Sequence, residues 1–190
     1  MISRRPWIVG AGVQVLVAFA LVTGASAPVA ASHAQHPPAA TVFTCPGTVR
    51  FSPHGGAEAL VVEALRQARD YVHIAIYGLT SPKVEQALMD LALAGVRVSI
   101  KSDHVQSAGK AQAALLARLR TARLEVEVSR VGRLLHDKFA VVDGRWVITG
   151  SFNWTESAER RNRENVLTFD CPPLAQAFDA EWEAIRPDEP

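Results

Sequence analysis

The sequence predicts an α/β fold: a mixed, mostly parallel central β-sheet flanked by helices on both faces. Segments rich in β-branched residues, such as 71–77, alternate with amphipathic segments, such as 57–69, through the first half of the chain. After residue 136 the pattern changes to that of a hairpin. Two apolar runs flank Asp143-Gly144, a dipeptide suited to a tight type I′ turn.

Alternating or β-branched runs predict the strands, and apolar residues at helical spacing predict the helices. The predicted strands are 48–51, 71–77, 96–100, 124–128, 139–142, 146–148 and 165–169. The predicted helices are 57–69, a helix from Pro82 that stops at Gly95, 110–121 and 174–185. The polar segment 103–109 is expected to be a loop.

The first residues have the composition of a secretory signal peptide. Arg4 and Arg5 precede an uncharged apolar run, which is followed by small residues at Ala-x-Ala spacing. We expect cleavage near Ala31 or Ala34, and export to the periplasm or beyond the cell. An uncleaved membrane anchor is the alternative, because the run approaches the roughly 20 apolar residues that span a bilayer.

The pattern divides the chain into a signal peptide (1–31), a flexible lead-in (32–47) and a single domain (48–190). We see no internal repeat, and a composition of 48% hydrophobic and 21% charged residues is typical of one soluble domain. After cleavage we expect no stable insertion in a membrane.

The charge balance excludes a global positive field. Loss of Arg4 and Arg5 with the signal peptide reduces 20 basic residues to 18, against 19 acidic ones, a net charge of −1. Affinity for nucleic acid or anionic lipid must then come from a local patch. Arginines cluster between residues 130 and 163, and His104 lies in the predicted loop, with a solvated loop histidine as the alternative. The candidate nucleic-acid contacts are Arg130, Arg133, Arg160, Arg161, Arg163 and His104.

Cys45 and Cys171 are the two cysteines, one near each end of the exported chain. Such a pair suggests a disulfide, with two free thiols as the alternative. Neither Cys-x-x-Cys nor His-x-x-x-His spacing occurs, so we expect no dedicated zinc site.

Four side chains that suit a phosphate group flank two adjacent predicted strands, 139–142 and 146–148. Residues two apart in a strand project from the same face, so His136 and Lys138 are expected side by side, and Ser151 and Asn153 can face the same space. An imidazole can attack phosphorus and be regenerated by water. An ammonium and neutral donors can stabilise the charge on the phosphate oxygens. The pattern predicts a phosphodiester-cleaving site.

Two carboxylates complete the candidate set. Asp143 lies an odd number of residues from His136 and heads the hairpin, which favours support of the turn over contact with substrate. Glu164 could orient a ring nitrogen of His136, or it could be an ordinary carboxylate before a strand. Spacing alone does not choose between these roles.

The ordered series His136-x-Lys138-x-x-x-x-Asp143, Gly150-Ser151-x-Asn153 and Glu164 resembles the phospholipase D superfamily. It is most similar to the small exported bacterial endonucleases that carry one such motif per chain, from about Phe51 to Trp182. The resemblance implies a phosphohistidine at His136, phosphate binding by Lys138, Ser151 and Asn153, and an orienting role for Glu164. It counts Asp143 in the motif, and it implies hydrolysis without a metal or cofactor.

The mechanism needs a second histidine as general acid, and this chain has only one His-x-Lys copy. We therefore predict a twofold homodimer that brings two His136 residues together. The preferred activity is a non-specific endonuclease acting on DNA or RNA. The alternatives are a phospholipase D that cleaves phospholipid headgroups and a non-catalytic nucleic-acid-binding protein of the envelope.

Overall fold

A seven-stranded sheet of order β1-β7-β6-β5-β2-β3-β4 organises residues 42–186, the part of the chain that the computed structural model describes. The strands are β1 (Gly47–Ser52), β2 (Tyr71–Ile76), β3 (Arg97–Ser102), β4 (Glu125–Val128), β5 (Lys138–Val142), β6 (Trp146–Gly150) and β7 (Glu164–Asp170). The helices are α1 (Ala57–Leu65), α2 (Pro82–Leu93), α3 (His104–Ala108), α4 (Lys110–Thr121), α5 (Glu156–Arg160) and α6 (Pro172–Ala184).

The sheet is mixed, as predicted, but the expectation that it is mostly parallel is wrong. Only the β2–β3 and β3–β4 pairs are parallel. The pairs β2–β5, β5–β6, β6–β7 and β1–β7 are antiparallel. The helical crossovers of the first half give the parallel pairs, and the β5–β6 hairpin gives an antiparallel pair. The antiparallel pairs β2–β5 and β1–β7 join strands that are far apart in the chain.

Helices cover both faces of the sheet, as predicted. One core cluster joins Leu65 of α1, Leu88 of α2 and Leu119 of α4 to the sheet. A second cluster joins Trp182 of α6 to the opposite face, where it packs with Phe139 of β5. Successive β5 residues belong to alternate clusters because side chains of a strand alternate between faces.

Several predicted boundaries change. The segment expected to be a loop contains α3, which Asp103 caps by accepting a hydrogen bond from the Gln106 N–H at 2.9 Å. Helix α5 was not predicted, and α1 ends at Leu65 rather than at residue 69. The signal peptide and all but the last residues of the lead-in lie outside the described residues. Within residues 42–186, no helix has the length and apolar character needed to cross a bilayer.

The predicted disulfide is confirmed. Cys45 is bonded to Cys171, and their Cα atoms are 5.5 Å apart across a sequence separation of 126 residues. The bond ties the segment before β1 to the residue that precedes α6. It therefore links the two ends of the described domain.

Candidate active site

The strand directions bring the candidate residues to one end of the sheet. β5 runs antiparallel to β2, so β5 begins where β2 ends. β6 pairs antiparallel with β5 and therefore ends at this place. β7 pairs antiparallel with both β6 and β1, so β7 begins here and β1 ends here. His136, Lys138, Ser151, Asn153 and Glu164 all lie at this end, as the motif pattern predicts.

His136 is exposed just before β5, and Lys138 is the first residue of that strand. The Lys138 ammonium donates a hydrogen bond to the backbone carbonyl of His136. The imidazole packs on Tyr77, with ring centroids 4.6 Å apart and the planes tilted by 58°. An accessible imidazole and a neighbouring ammonium suit an attack on phosphorus and the neutralisation of its oxygens.

Lys138 is unusual for a lysine because only 8% of its surface is exposed. Burial lowers the pKa of its ammonium, while the charges of Asp137 and Glu164 act in the opposite direction. Burial likewise raises the pKa of the Asp137 carboxyl, opposed by Lys138 and His136. The two neighbouring carboxylates thus favour the charged form of Lys138, which its burial opposes.

Two glycines shape the segment that carries Ser151 and Asn153. Gly150 has a φ of 146°, and a Cβ at this position would lie 2.3 Å from the backbone oxygen of Asn165, so only glycine fits. Gly78 donates its N–H to Oδ1 of Asn153 at 3.2 Å. The amide oxygen of Asn153 is thus occupied, which leaves its NH₂ group oriented to donate to a ligand.

Glu164 accepts hydrogen bonds from the Ser151 hydroxyl and, at 3.0 Å, from Nδ2 of Asn162. Among the described residues no hydrogen bond joins Glu164 to His136. Within one chain, Glu164 therefore orients Ser151 and adds negative charge near Lys138.

Asp143 lies at the opposite end of β5. Its carboxylate accepts hydrogen bonds from the backbone N–H groups of Arg69 at 2.8 Å, Asp70 at 3.0 Å and Tyr71 at 2.9 Å. Its φ of 52° and that of 61° at Gly144 suit a type I′ turn. This geometry matches the supporting role that the odd spacing favours, and it leaves no contact between Asp143 and the group around His136.

Exposed arginines lie on both sides of His136. Arg130 and Arg133 are in the loop between β4 and β5, and Arg161 and Arg163 precede β7. None of these four forms an ion pair within residues 42–186, whereas Arg160 pairs with Glu156 at 3.2 Å.

A cavity of about 370 Å³ opens next to the chain segment of His136. Its charged lining is Arg130, Arg133, Asp137, Glu181 and Arg186. His104 does not line this cavity. It begins α3 at the same end of the sheet, where its N–H donates to Oγ of Ser129 at 3.2 Å.

Sequence reasoning missed Tyr77, which touches both His136 and Lys138. In the sequence Tyr77 is the last residue of a predicted apolar strand. Only the pairing of β2 with β5 shows that it lies next to His136 and Lys138. Trp154 is buried, as expected of a residue next to a strand. In residues 42–186, no three His, Cys, Asp or Glu side chains are grouped as ligands for a metal ion.

Comparisons with known proteins show which family this chain belongs to. Residues 61–186 match the family described as "Cardiolipin synthase, PLD-like domain". A protein named "Phospholipase D" from Rickettsia bellii is 33% identical over 141 residues, which are 74% of this chain and 67% of that protein. The human "Mitochondrial cardiolipin hydrolase" is 35% identical over 134 residues, 70% of this chain and 52% of that protein. The match thus spans between half and two thirds of these relatives.

Among solved structures, the phospholipase D family member Nuc from Salmonella typhimurium superposes with a TM-score of 0.72 at 30% identity. The alignment covers 77% of this chain and all of Nuc. The sheet, the candidate residues gathered at one end of it and these similarities define a phosphodiesterase with a phospholipase D-like domain. The chain belongs to the phospholipase D superfamily.

Proposed function

We propose that this chain is a metal-independent nuclease that cleaves phosphodiester bonds of DNA or RNA through a phosphohistidine at His136. The observation that carries the proposal is the meeting of an exposed imidazole, a buried ammonium and the donors of Ser151 and Asn153 at one end of the sheet. These groups supply a nucleophile and positive or donor groups for the phosphate oxygens without a metal ion.

In the proposed reaction, a ring nitrogen of His136 attacks phosphorus, an N–P bond forms and the ester P–O bond breaks. The leaving oxygen takes a proton from a second imidazole. That imidazole then removes a proton from water, whose oxygen attacks phosphorus, breaks the N–P bond and releases His136. Lys138 and Asn153 hold the phosphate oxygens in both steps, and Ser151 joins them by turning its hydroxyl from Glu164 to the phosphate.

The second imidazole requires a second copy of the chain, because only one His-x-Lys pair is present. We propose a twofold homodimer in which the partner subunit's His136 is the general acid. The exposure of His136 and of its neighbour Leu134, which is 64% exposed, supports an interface at this end of the sheet. Dilution of the enzyme below the dimer dissociation constant is then expected to abolish turnover, and a fully active monomer contradicts this arrangement.

Nucleic acid is the preferred substrate because unpaired arginines flank His136 on both sides. A nucleic-acid strand carries a phosphate on each side of the one being cleaved, and arginine binds such phosphates without reading bases. The amino-terminal pattern supports export, so we place the activity in the periplasm or outside the cell.

A panel of substrates in the presence of EDTA tests the proposal. Plasmid DNA, single-stranded DNA, RNA and vesicles of phosphatidylcholine or cardiolipin are incubated with the wild type and with His136→Ala. We expect EDTA-resistant cleavage of nucleic acid that His136→Ala abolishes. Turnover of lipid alone, or full activity of His136→Ala, contradicts the nuclease proposal.

Hydrolysis of a phospholipid headgroup is the second candidate. The structure exposes 63% of Val131 and 64% of Leu134 in the loop that precedes His136. Arg130 and Arg133 alternate with these residues, an arrangement that suits an anionic membrane surface. If this loop serves lipid, Leu134→Ser lowers cleavage of cardiolipin vesicles and leaves cleavage of short soluble diesters unchanged.

A further inference from the structure

Tyr77 connects the two central residues of the candidate site. It follows β2, and its ring lies 4.6 Å from the ring of His136, centroid to centroid. The Lys138 ammonium lies 5.0 Å from the centre of the same ring. One aromatic side chain therefore contacts both the candidate nucleophile and the candidate phosphate-binding cation.

Tyr77 is itself fixed at three points. Its hydroxyl accepts a hydrogen bond from Nε2 of Gln106 at 2.8 Å. Its backbone oxygen accepts one from Nε2 of Gln112 at 3.1 Å, and its N–H donates to the backbone oxygen of Asp137 at 2.8 Å. A ring held at its hydroxyl and at both ends of its backbone unit has few other orientations.

Asp103 supplies a second link from α3 to the site. It is fully buried, and its two carboxylate oxygens accept from different segments. One accepts from the N–H of Gln106 at 2.9 Å, and the other from the N–H of Leu135 at 3.1 Å. Asp103 thus ties the helix that holds Tyr77 to the residue directly before His136.

We propose that Tyr77 is a positioning residue that sets the orientation of His136 and stabilises the cation of Lys138, with Gln106 holding its hydroxyl and Asp103 holding Gln106. This inference rests on the proposed function, because it assigns a role within the same site. An aromatic face attracts a cation through its quadrupole. This attraction acts on the Lys138 ammonium throughout the reaction, and on the His136 imidazole when it is protonated. The packed ring also limits the rotation of an otherwise exposed imidazole, which keeps a nitrogen aimed at phosphorus.

The kinetic test compares Tyr77→Leu, which removes the ring, with Tyr77→Phe, which keeps it. Loss of a cation–π contact corresponds to about a 3- to 30-fold effect. We expect kcat of Tyr77→Leu to fall by about that factor with little change in KM. Tyr77→Phe is expected to keep most of the wild-type kcat. Tyr71→Leu is the matched control: it makes the same change at the other end of β2 and should leave kcat unchanged.

Gln106→Ala keeps the inference testable if Tyr77→Leu fails to fold, because it removes only the hydrogen bond to the Tyr77 hydroxyl. It and Tyr77→Phe delete the same bond, so both are expected to lower kcat by a similar small factor, and the double variant should lose no more than either alone. A wild-type kcat in Tyr77→Leu, measured where His136→Ala is inactive, overturns the inference and leaves the proposed function intact.

A spectroscopic measurement separates the inference from the activity. In the wild type, we expect the Tyr77 ring current to shift the NMR signals of the His136 ring protons, because the ring centroids are 4.6 Å apart. We expect Tyr77→Leu to remove this shift, and Tyr77→Phe and Tyr71→Leu to retain it. Unchanged His136 signals in Tyr77→Leu contradict the positioning role. If the wild type cleaves nothing in the substrate panel, the proposed function fails, while this measurement still decides whether Tyr77 holds the imidazole.

Discussion

Lys138 and Asp143 stand at opposite ends of β5, and only Lys138 lies at the end where His136, Ser151 and Asn153 meet. They are five positions apart along extended chain, a distance of about 16 Å. The two charged members of one short motif therefore have separate tasks. Lys138 faces the candidate site, whereas Asp143 ties the β5–β6 hairpin to the start of β2.

Asp143→Ala is expected to lower stability and not rate. It leaves three backbone N–H groups without their charged acceptor, so we expect the free energy of unfolding to fall by about 2–3 kcal/mol. Urea denaturation measures the loss, and kcat is measured well below the unfolding midpoint. A large fall in kcat with unchanged stability places Asp143 in the chemistry after all.

Glu164→Gln is expected to lower the rate and to leave stability nearly unchanged. It weakens the bond that orients Ser151 and removes a negative charge near Lys138, so we expect kcat/KM to fall by about 10- to 100-fold. Unfolding in urea should change little because Glu164 is only partly buried at the start of β7. Paired measurements on Asp143→Ala and Glu164→Gln assign the two carboxylates to structure and to catalysis.

The pH profile depends on Lys138. Burial lowers the pKa of its ammonium, so kcat/KM should decline on the alkaline side at a lower pH than the deprotonation of an ordinary lysine would cause. The charge of Glu164 raises this pKa. Its removal in Glu164→Gln should therefore move the alkaline limb to still lower pH, and a move to higher pH would falsify the assignment.

The disulfide is expected to stabilise the fold without serving the chemistry. Cys45 and Cys171 lie at the Asp143 end of the sheet, away from His136. The double variant Cys45→Ser/Cys171→Ser should lose about 3–5 kcal/mol of unfolding free energy, since the closed loop is long. Its kcat at a temperature where it stays folded should match that of the wild type; loss of kcat in the folded variant contradicts this separation.

Much of the fold follows from local pattern. Alternating or β-branched runs identify all seven strands, and apolar spacing identifies α1, α2, α4 and α6. Helices α3 and α5 were not predicted because five-residue helices are too short to show an apolar stripe. The proportion of parallel pairs was not predictable either. The insertion of β5 beside β2 depends on long-range packing, and no local pattern encodes it.

The site was predictable where chemistry has a sequence spacing. His136 with Lys138, and Ser151 with Asn153, are each two residues apart along the chain. The supporting residues lack such a signal: Tyr77, Gln106 and Asp103 come from different segments and meet only through the sheet. Spacing likewise does not decide whether Glu164 orients a ring nitrogen of His136. Within one chain, Glu164 accepts a hydrogen bond from Ser151 instead.

Trapping of the phosphoenzyme tests the central claim most directly. The wild type is mixed with a phosphate-labelled nucleic-acid substrate in EDTA, quenched during turnover under conditions that preserve phosphohistidine, and mapped by mass spectrometry. We predict a label on His136 at up to one per two chains, absent from His136→Ala, and slower to form in Tyr77→Leu. A label on another residue, or turnover with no labelled His136, contradicts the account.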